Sequence, residues 1–67
     1  MKNCKIECGQ NMLRIWLDER HAIHKLRGSN IYVLEYYRFG TDHMPDEIFT
    51  DKDLLVVYQK YEQEIGN

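Results

Sequence analysis

Two cysteines and two histidines in the first third of the chain carry the clearest chemical pattern. The pattern reads C-x3-C-x12-H-x2-H, and its members are Cys4, Cys8, His21 and His24. Thiolate sulfur and imidazole nitrogen are the ligands that zinc takes in structural sites, where four of them surround the ion tetrahedrally. Because the chain has only two cysteines, any zinc site built on thiolates must use this pair. The spacing therefore raises the hypothesis of one structural zinc ion.

Residues 4–24 resemble the C2H2 zinc finger. Cys8 is followed by Gly9, as in the cysteine knuckle of that family, and Met12 stands where the family usually has its first core aromatic residue. The resemblance implies a zinc ion held by the quartet and a helix, from about residue 13, that enters the DNA major groove. In this alternative the protein is a zinc-stabilised nucleic-acid-binding module that uses the basic side chains Arg14, Arg20, Lys25 and Arg27.

The same quartet also has an interpretation without a metal, which we favour. Free cysteines behave as small, partly buried hydrophobic side chains. Histidines near the end of a helix are stabilised there by the helix dipole. Under this interpretation the four residues are unlinked and the protein needs no cofactor.

Residues 12–27 would have to position both histidines, and their apolar pattern fits two structures. An amphipathic helix places one set of apolar side chains on a single stripe; these are Met12, Ile15, Trp16, Ala22, Ile23 and Leu26. A β-hairpin instead has Leu13, Ile15 and Leu17 alternate with Arg14, Trp16 and Asp18, turns at residues 18–20 and continues as a second strand over residues 21–27. We favour the helix because its stripe includes more residues.

The other elements are read from composition and turn signals. Residues 3–8 are predicted as a short strand, and residues 31–39, which are dense in aromatic and β-branched types, as the clearest strand. Residues 41–49 are predicted as a polar connector with one helical turn that begins at Pro45. An apolar stripe predicts a C-terminal helix over about residues 51–65.

Thr50 is the predicted N-cap of that helix, because its hydroxyl can accept a hydrogen bond from a free amide of the first turn. Together the elements predict one α+β domain over residues 1–67. It consists of a small β-sheet with a C-terminal helix packed on it and a second helix, or a hairpin, at about residues 12–27. Sixty-seven residues leave no room for a second core.

Composition limits the location and the class of function. No apolar run approaches the ~20 residues needed to cross a bilayer, and the N-terminus lacks the apolar segment of a secretory signal. A cytoplasmic protein is therefore expected. None of the nucleotide-binding or nucleophile motifs of enzymes is present, which predicts a non-enzymatic protein.

Charge and aromatic residues indicate the kind of partner. Residues 1–27 carry six basic and three acidic residues, and residues 28–67 carry three basic and eight acidic ones. Tyrosine and tryptophan are enriched in protein-binding surfaces; the candidates, together with nearby acids, are Trp16, Tyr36, Tyr37, Asp42, Asp46 and Glu47. The leading hypothesis is a small protein-binding module, an inhibitor or regulatory accessory protein of the type that phages and mobile elements encode. A homodimer formed by pairing of the aromatic strand is a further alternative.

Overall fold

The computed structural model describes residues 5–66, which form an antiparallel sheet of five strands followed by one helix. The elements are β1 (Lys5–Cys8), β2 (Met12–Trp16), β3 (His21–Leu26), β4 (Tyr32–Tyr36), β5 (Asp46–Asp51) and α1 (Leu54–Ile65). Each strand pairs with its neighbour in sequence, so the order across the sheet is β1-β2-β3-β4-β5. The helix contacts β3, β4 and β5. The predicted α+β class, with a C-terminal helix on a small sheet, is confirmed.

The helix that we favoured over residues 12–27 is wrong, and the alternative hairpin forms instead. Strands β2 and β3 pair antiparallel, with Ile15 opposite Ile23. The turn between them is set by Asp18, whose Oδ1 accepts hydrogen bonds from the amides of Arg20 and His21, both at 2.7 Å. Those amides would otherwise bond to backbone carbonyls of the preceding helical turn, so the aspartate competes directly with a helix.

The hydrophobic core lies between α1 and one side of the sheet, which we call the helix face. Directly opposite residues of paired strands share a face, so the β2–β3–β4 register aligns Ile15, Ile23 and Leu34 side by side on the helix face. Val57 and Tyr61 of α1 are buried against them. We call the other side of the sheet the open face, because no described element covers it.

Strand β4 is the predicted aromatic strand, although it spans Tyr32–Tyr36 rather than residues 31–39. It lies between β3 and β5 and is hydrogen-bonded to both. A strand with both edges occupied has no free backbone groups to offer a second chain. The backbone groups that the predicted dimer would use are therefore already paired within the chain.

The connector predicted at residues 41–49 is also wrong, because residues 46–51 form strand β5 instead of a helical turn. Its pairing with β4 is irregular between Leu34 and Glu35, and Ile48 and Phe49 both pack against the core despite being adjacent in sequence. A β-bulge produces this arrangement, since two residues of one strand then oppose one residue of its partner. Two consecutive inward side chains break the alternation by which strands are recognised.

The helix begins at Leu54, three residues after the predicted start at residue 51. Asp53, rather than Thr50, is its N-cap and accepts a hydrogen bond from the Leu55 amide at 2.9 Å. Thr50 is the penultimate residue of β5. Among the described residues, no helix is long and apolar enough to cross a membrane.

One helix does not cover this sheet. Five strands span about 19 Å, whereas a helix with its side chains is about 10 Å wide. The helix face of β1 and β2 is left bare, and a groove of about 490 Å³ separates β2 from α1. The groove is lined by Ile15, Leu17, Ile23, Leu54, Leu55 and Tyr58.

Two leucines provide a test of where the core lies. Leu34 is 0% exposed and Leu55, at the rim of the groove, is 61% exposed. We expect Leu34→Ala to lower the free energy of unfolding by about 2–5 kcal/mol, because it leaves a cavity among packed side chains. Leu55→Ala should change it by about 0.5 kcal/mol or less. Urea unfolding followed by circular dichroism measures both, and equal losses would contradict this assignment of the core.

Candidate functional site

The open face carries a buried carboxylate at its centre. Glu35 is 3% exposed and is the one buried charged residue in the described part of the chain. Arg14 Nε donates to its Oε1 at 3.1 Å, and the Tyr37 hydroxyl donates to the same oxygen at 2.9 Å. His24 Nδ1 lies 3.5 Å from the other oxygen, Oε2. A buried charge is tolerated only when it is paired and hydrogen-bonded, and these three side chains provide that environment.

This arrangement holds Tyr37 inside the protein, where it is 5% exposed and its hydroxyl is bonded to Glu35. Burial raises the pKa of Tyr37 to about 12, and the hydrogen bond to Glu35 and the negative charge of Glu35 act in the same direction. The ring centroid of Tyr37 lies 4.9 Å from that of Trp16. The Tyr37 ring therefore packs against the indole of Trp16, and its hydroxyl is hydrogen-bonded to Glu35 inside the protein.

A second polar network lies at the helix face and joins the β2–β3 turn to α1. Asp18 Oδ2 accepts a hydrogen bond from the Tyr61 hydroxyl at 2.9 Å and lies 3.0 Å from His21 Nδ1. The imidazole of His21 is stacked on Tyr36, with centroids 4.9 Å apart, and meets the edge of Tyr61 at 5.3 Å. The turn is thus attached to the C-terminal half of the helix.

Opposing effects act on the pKa of Asp18. Burial raises it, but hydrogen bonds from the Arg20 amide, the His21 side chain, the Tyr61 hydroxyl and the His21 amide together outweigh burial. The result is a pKa below the usual 3.8. The charged carboxylate is therefore the form that the fold stabilises.

Arg20 connects the same turn to the loop of residues 37–45, which links β4 to β5. Its Nη1 donates to the carbonyl oxygen of Arg38 at 2.7 Å, and its own carbonyl oxygen accepts from the Tyr37 amide at 2.7 Å. Arg38 in turn donates through Nε to Asp46 Oδ2 at 2.9 Å. These contacts anchor both ends of the loop.

Two successive turns shape this loop, and Gly40 belongs to both. The Gly40 amide donates to the Tyr37 carbonyl at 3.2 Å, and the His43 amide donates to the Gly40 carbonyl at 3.3 Å. Gly40 has a φ of 97°, a region that residues with a Cβ atom rarely adopt. The glycine thus allows the chain to reverse direction and to project side chains outward.

The loop presents two large apolar side chains to solvent. Phe39 is 72% exposed and Met44 is 89% exposed. The guanidinium carbon of Arg38 lies 5.8 Å from the centroid of the Phe39 ring, within the range of a cation–π contact. Residues 16–20 and 37–47 together form one end of the sheet, which we call the loop end.

The six predicted partner-binding residues all lie at the loop end or at the strand ends that border it. Trp16 is the last residue of β2, and Tyr36, the last of β4, is opposite Asp46, the first of β5. Trp16 also lines a groove of about 430 Å³, whose other lining residues are Lys5, Glu7, Asp18, Glu19 and Thr41. Asp42 and Glu47 are exposed, whereas Tyr37 is buried. The structure thus brings the predicted residues to one end of the sheet and buries Tyr37 among them, and their role in binding a partner stays a prediction.

Sequence reasoning missed Phe39, Met44 and Glu35. Phe39 was assigned to the strand of residues 31–39, where its side chain would have been covered by neighbouring elements. Met44 stood in a segment considered polar. The available signal was an apolar residue on each side of Gly40 between turn-forming residues, since a loop has no core in which to bury such side chains.

The four basic residues of the nucleic-acid alternative do not share one surface. Arg14 is on the open face, where it also lies 3.7 Å from Glu7 Oε1, and Lys25 is on the helix face, 5.9 Å from the centroid of Tyr32. Arg20 and Arg27 lie beyond opposite ends of β3, and each donates to backbone carbonyls. A phosphate backbone is contacted by a continuous basic stripe or patch, which these positions do not form.

The described members of the predicted zinc quartet, Cys8, His21 and His24, are not brought together at one site either. His21 and His24 are three residues apart on one strand, so their side chains point to opposite faces of the sheet. Cys8 is exposed at the end of β1, and Cys4 lies outside the described residues. Within residues 5–66, no group of three or more histidine, cysteine or acidic side chains is placed to hold a metal ion.

Comparison of the chain with protein-family models, curated proteins and solved structures finds no match.

Asp18 should make the free energy of unfolding depend on pH in the acid range. A folded pKa below the unfolded value of 3.8 means that the carboxylate contributes stability above about pH 4, which is lost as the pH falls through the folded pKa. We expect Asp18→Asn to be less stable at neutral pH and to lose less of its stability on acidification than the wild type.

Asp42→Asn, at an exposed position of the loop, is the matched control. Urea unfolding at several pH values between about 7 and 2 measures the effect. If the pH dependence of the free energy of unfolding were unchanged in Asp18→Asn but altered in Asp42→Asn, the role assigned to Asp18 would be contradicted.

The hydroxyls of Tyr37 and Tyr61 should lose their protons at a higher pH than an exposed tyrosine does. Burial raises the pKa of Tyr61 to about 12, as it does for Tyr37, and the hydrogen bond to Asp18 adds to the shift. Because both folded pKa values lie above the ordinary tyrosine value of 10.0, the two hydroxyls stabilise the fold below about pH 10, and this stabilisation is lost as the pH rises towards 12. Ultraviolet absorbance of phenolate should show one fewer late-titrating group in Tyr37→Phe and in Tyr61→Phe. Unchanged titration curves in both variants would refute the two networks.

Proposed function

We propose that this protein is a small protein-binding module that docks through its loop end. It acts by occupying the surface of another protein, as an inhibitor or a regulatory accessory subunit does, and not by catalysis. The observation that carries the proposal is the pair Phe39 and Met44, which are 72% and 89% exposed on a loop with anchored ends.

Both side chains are of types that are common in protein interfaces. Aromatic residues, methionine and arginine are enriched in the cores of protein interfaces, and Phe39, Met44 and Arg38 lie within one loop. Full burial of a phenylalanine or methionine side chain contributes about 1.5–3 kcal/mol each. A scattered apolar side chain on a surface is ordinary, but here two of them lie on one loop beside Arg38, which contacts the phenylalanine ring.

The anchoring of the loop favours binding as well. Association is opposed by the entropy lost when loops and side chains become ordered, and a preorganised loop has lost part of that entropy already. Arg20 holds the start of the loop and the Arg38–Asp46 pair holds its two flanks together. Little further ordering of the backbone is then needed when a partner binds.

Charge around the loop end indicates the chemistry of the partner. Asp42 and Glu47 are exposed beside the apolar pair, and Glu19 lines the neighbouring groove under Trp16. Charges at the rim of an interface direct encounter and orientation more than they add affinity. The surface that fits the loop end is an apolar pocket bordered by basic residues.

The double variant Phe39→Ala/Met44→Ala tests this proposal. The matched control is Leu26→Ala/Ile65→Ala, which removes two exposed apolar side chains outside the loop end. Immobilised wild type, variant and control are incubated with lysate of the source organism, and retained proteins are quantified by mass spectrometry. We expect a partner that is retained by the wild type and the control and is reduced about 10- to 100-fold on the variant, since interface hot spots contribute ~2 kcal/mol or more.

The captured partner is then purified and titrated calorimetrically against the same three proteins. Circular dichroism confirms that the variant is folded, which is expected because neither side chain belongs to the core. Equal retention by the variant and the wild type would overturn the assignment of the loop end as the docking surface.

A further inference from the structure

Strand β1 forms an edge of the sheet and offers hydrogen-bonding groups to another strand. No described strand pairs with its outer edge. We propose that a second copy of this chain pairs with β1 antiparallel, centred on Ile6, so that two five-stranded sheets join across a two-fold axis. This inference goes beyond the proposed function and is tested on the purified protein alone.

The direction of the backbone groups of β1 follows from the hairpin that it forms with β2. The Gly9 amide donates to the Met12 carbonyl at 2.9 Å, so Gly9 points towards β2. Backbone direction alternates along a strand, and Glu7 and Lys5 therefore also point towards β2. The amide and carbonyl groups of Ile6 and Cys8 point outward. A central Ile6–Ile6 pair would form two backbone hydrogen bonds between the copies.

Symmetry leaves only registers in which a residue is opposite its own copy. A two-fold axis perpendicular to the sheet keeps the two helix faces on the same side, and opposite residues must share a face. Centring on Lys5 would place lysine opposite lysine, and centring on Glu7 would place glutamate opposite glutamate. Centring on Ile6 places each Lys5 opposite the Glu7 of the other copy. Only this register among the three forms two opposite-charge pairs.

The side chain of Ile6 supports the same register. It is 62% exposed on the helix face of β1, on the part of the sheet that α1 leaves bare. In the Ile6-centred register the two isoleucines are direct neighbours across the axis and cover each other. Removing this apolar surface from water adds to the two hydrogen bonds and the two charge pairs.

The other edge of the sheet is protected against such pairing. Strand β5 is interrupted by the bulge, and it carries Asp46, Glu47 and Asp51, with Pro45 immediately before it. Bulges, prolines and like charges are the features by which edge strands avoid self-association. The two edges therefore differ, and only β1 is self-complementary.

Reversing the charge of Lys5 or of Glu7 tests the proposed pairing of the β1 strands. Light scattering and sedimentation of the wild type should show the average mass rising from 8.1 kDa towards twice that value with concentration, because a four-residue strand buries less than the ~1,200 Å² of a stable interface. Lys5→Glu and Glu7→Lys each place like charges opposite one another and should weaken dimerisation about tenfold or more. A mixture of the two variants restores both opposite-charge pairs and should form a heterodimer of wild-type affinity.

Hydrogen exchange of the backbone amides shows whether the copies associate through the outer edge of β1 or through another surface. The outward amide of Ile6 should exchange more slowly at concentrations where the dimer forms, whereas the amide of Glu7, bonded within the sheet, should not change. Circular dichroism of each variant establishes that it is folded, which matters for Glu7→Lys because Glu7 lies near Arg14. A mass of 8.1 kDa at every concentration up to about 1 mM, or failure of the mixed variants to associate, would overturn the proposal.

Discussion

The carboxylate of Asp18 is the interaction on which most of this structure depends. One oxygen accepts two backbone amides and closes the β2–β3 turn, and the other receives the hydroxyl of Tyr61 from the helix. Without that turn, the apolar pattern of residues 12–27 fits a helix as well as a hairpin. The same carboxylate thus selects the hairpin and fastens the helix to it, so local and tertiary structure agree at one residue.

Glu35 has the complementary role on the open face. Replacing a buried charge network by apolar side chains often stabilises a protein, whereas removing one partner from it is costly. Glu35 satisfies this requirement through three side chains from β2, β3 and the residue after β4. A shift of register in either hairpin would leave the carboxylate unpaired, so the network favours one alignment of the strands. That alignment places Trp16 over Tyr37 and fixes the start of the loop that carries Phe39.

The elements that sequence reasoning predicted are those whose patterns are local. Strand β4 and helix α1 each have dense apolar residues at the period of their own structure. Strand β5 was missed because the bulge places Ile48 and Phe49 inward together, and the pairing that creates the bulge belongs to β4 as much as to β5. The exposure of Phe39 and Met44 was missed because it is decided by which elements cover a position, and that follows from the tertiary structure.

The two histidines show that the same spacing in sequence has different chemical consequences on a helix and on a strand. On a helix, two residues three apart lie on one face and can approach one ion; on a strand, they face opposite sides. His21 therefore meets Asp18 at the helix face, and His24 meets Glu35 at the open face. The pattern that suggested one shared metal site instead provides two separate histidine–carboxylate contacts.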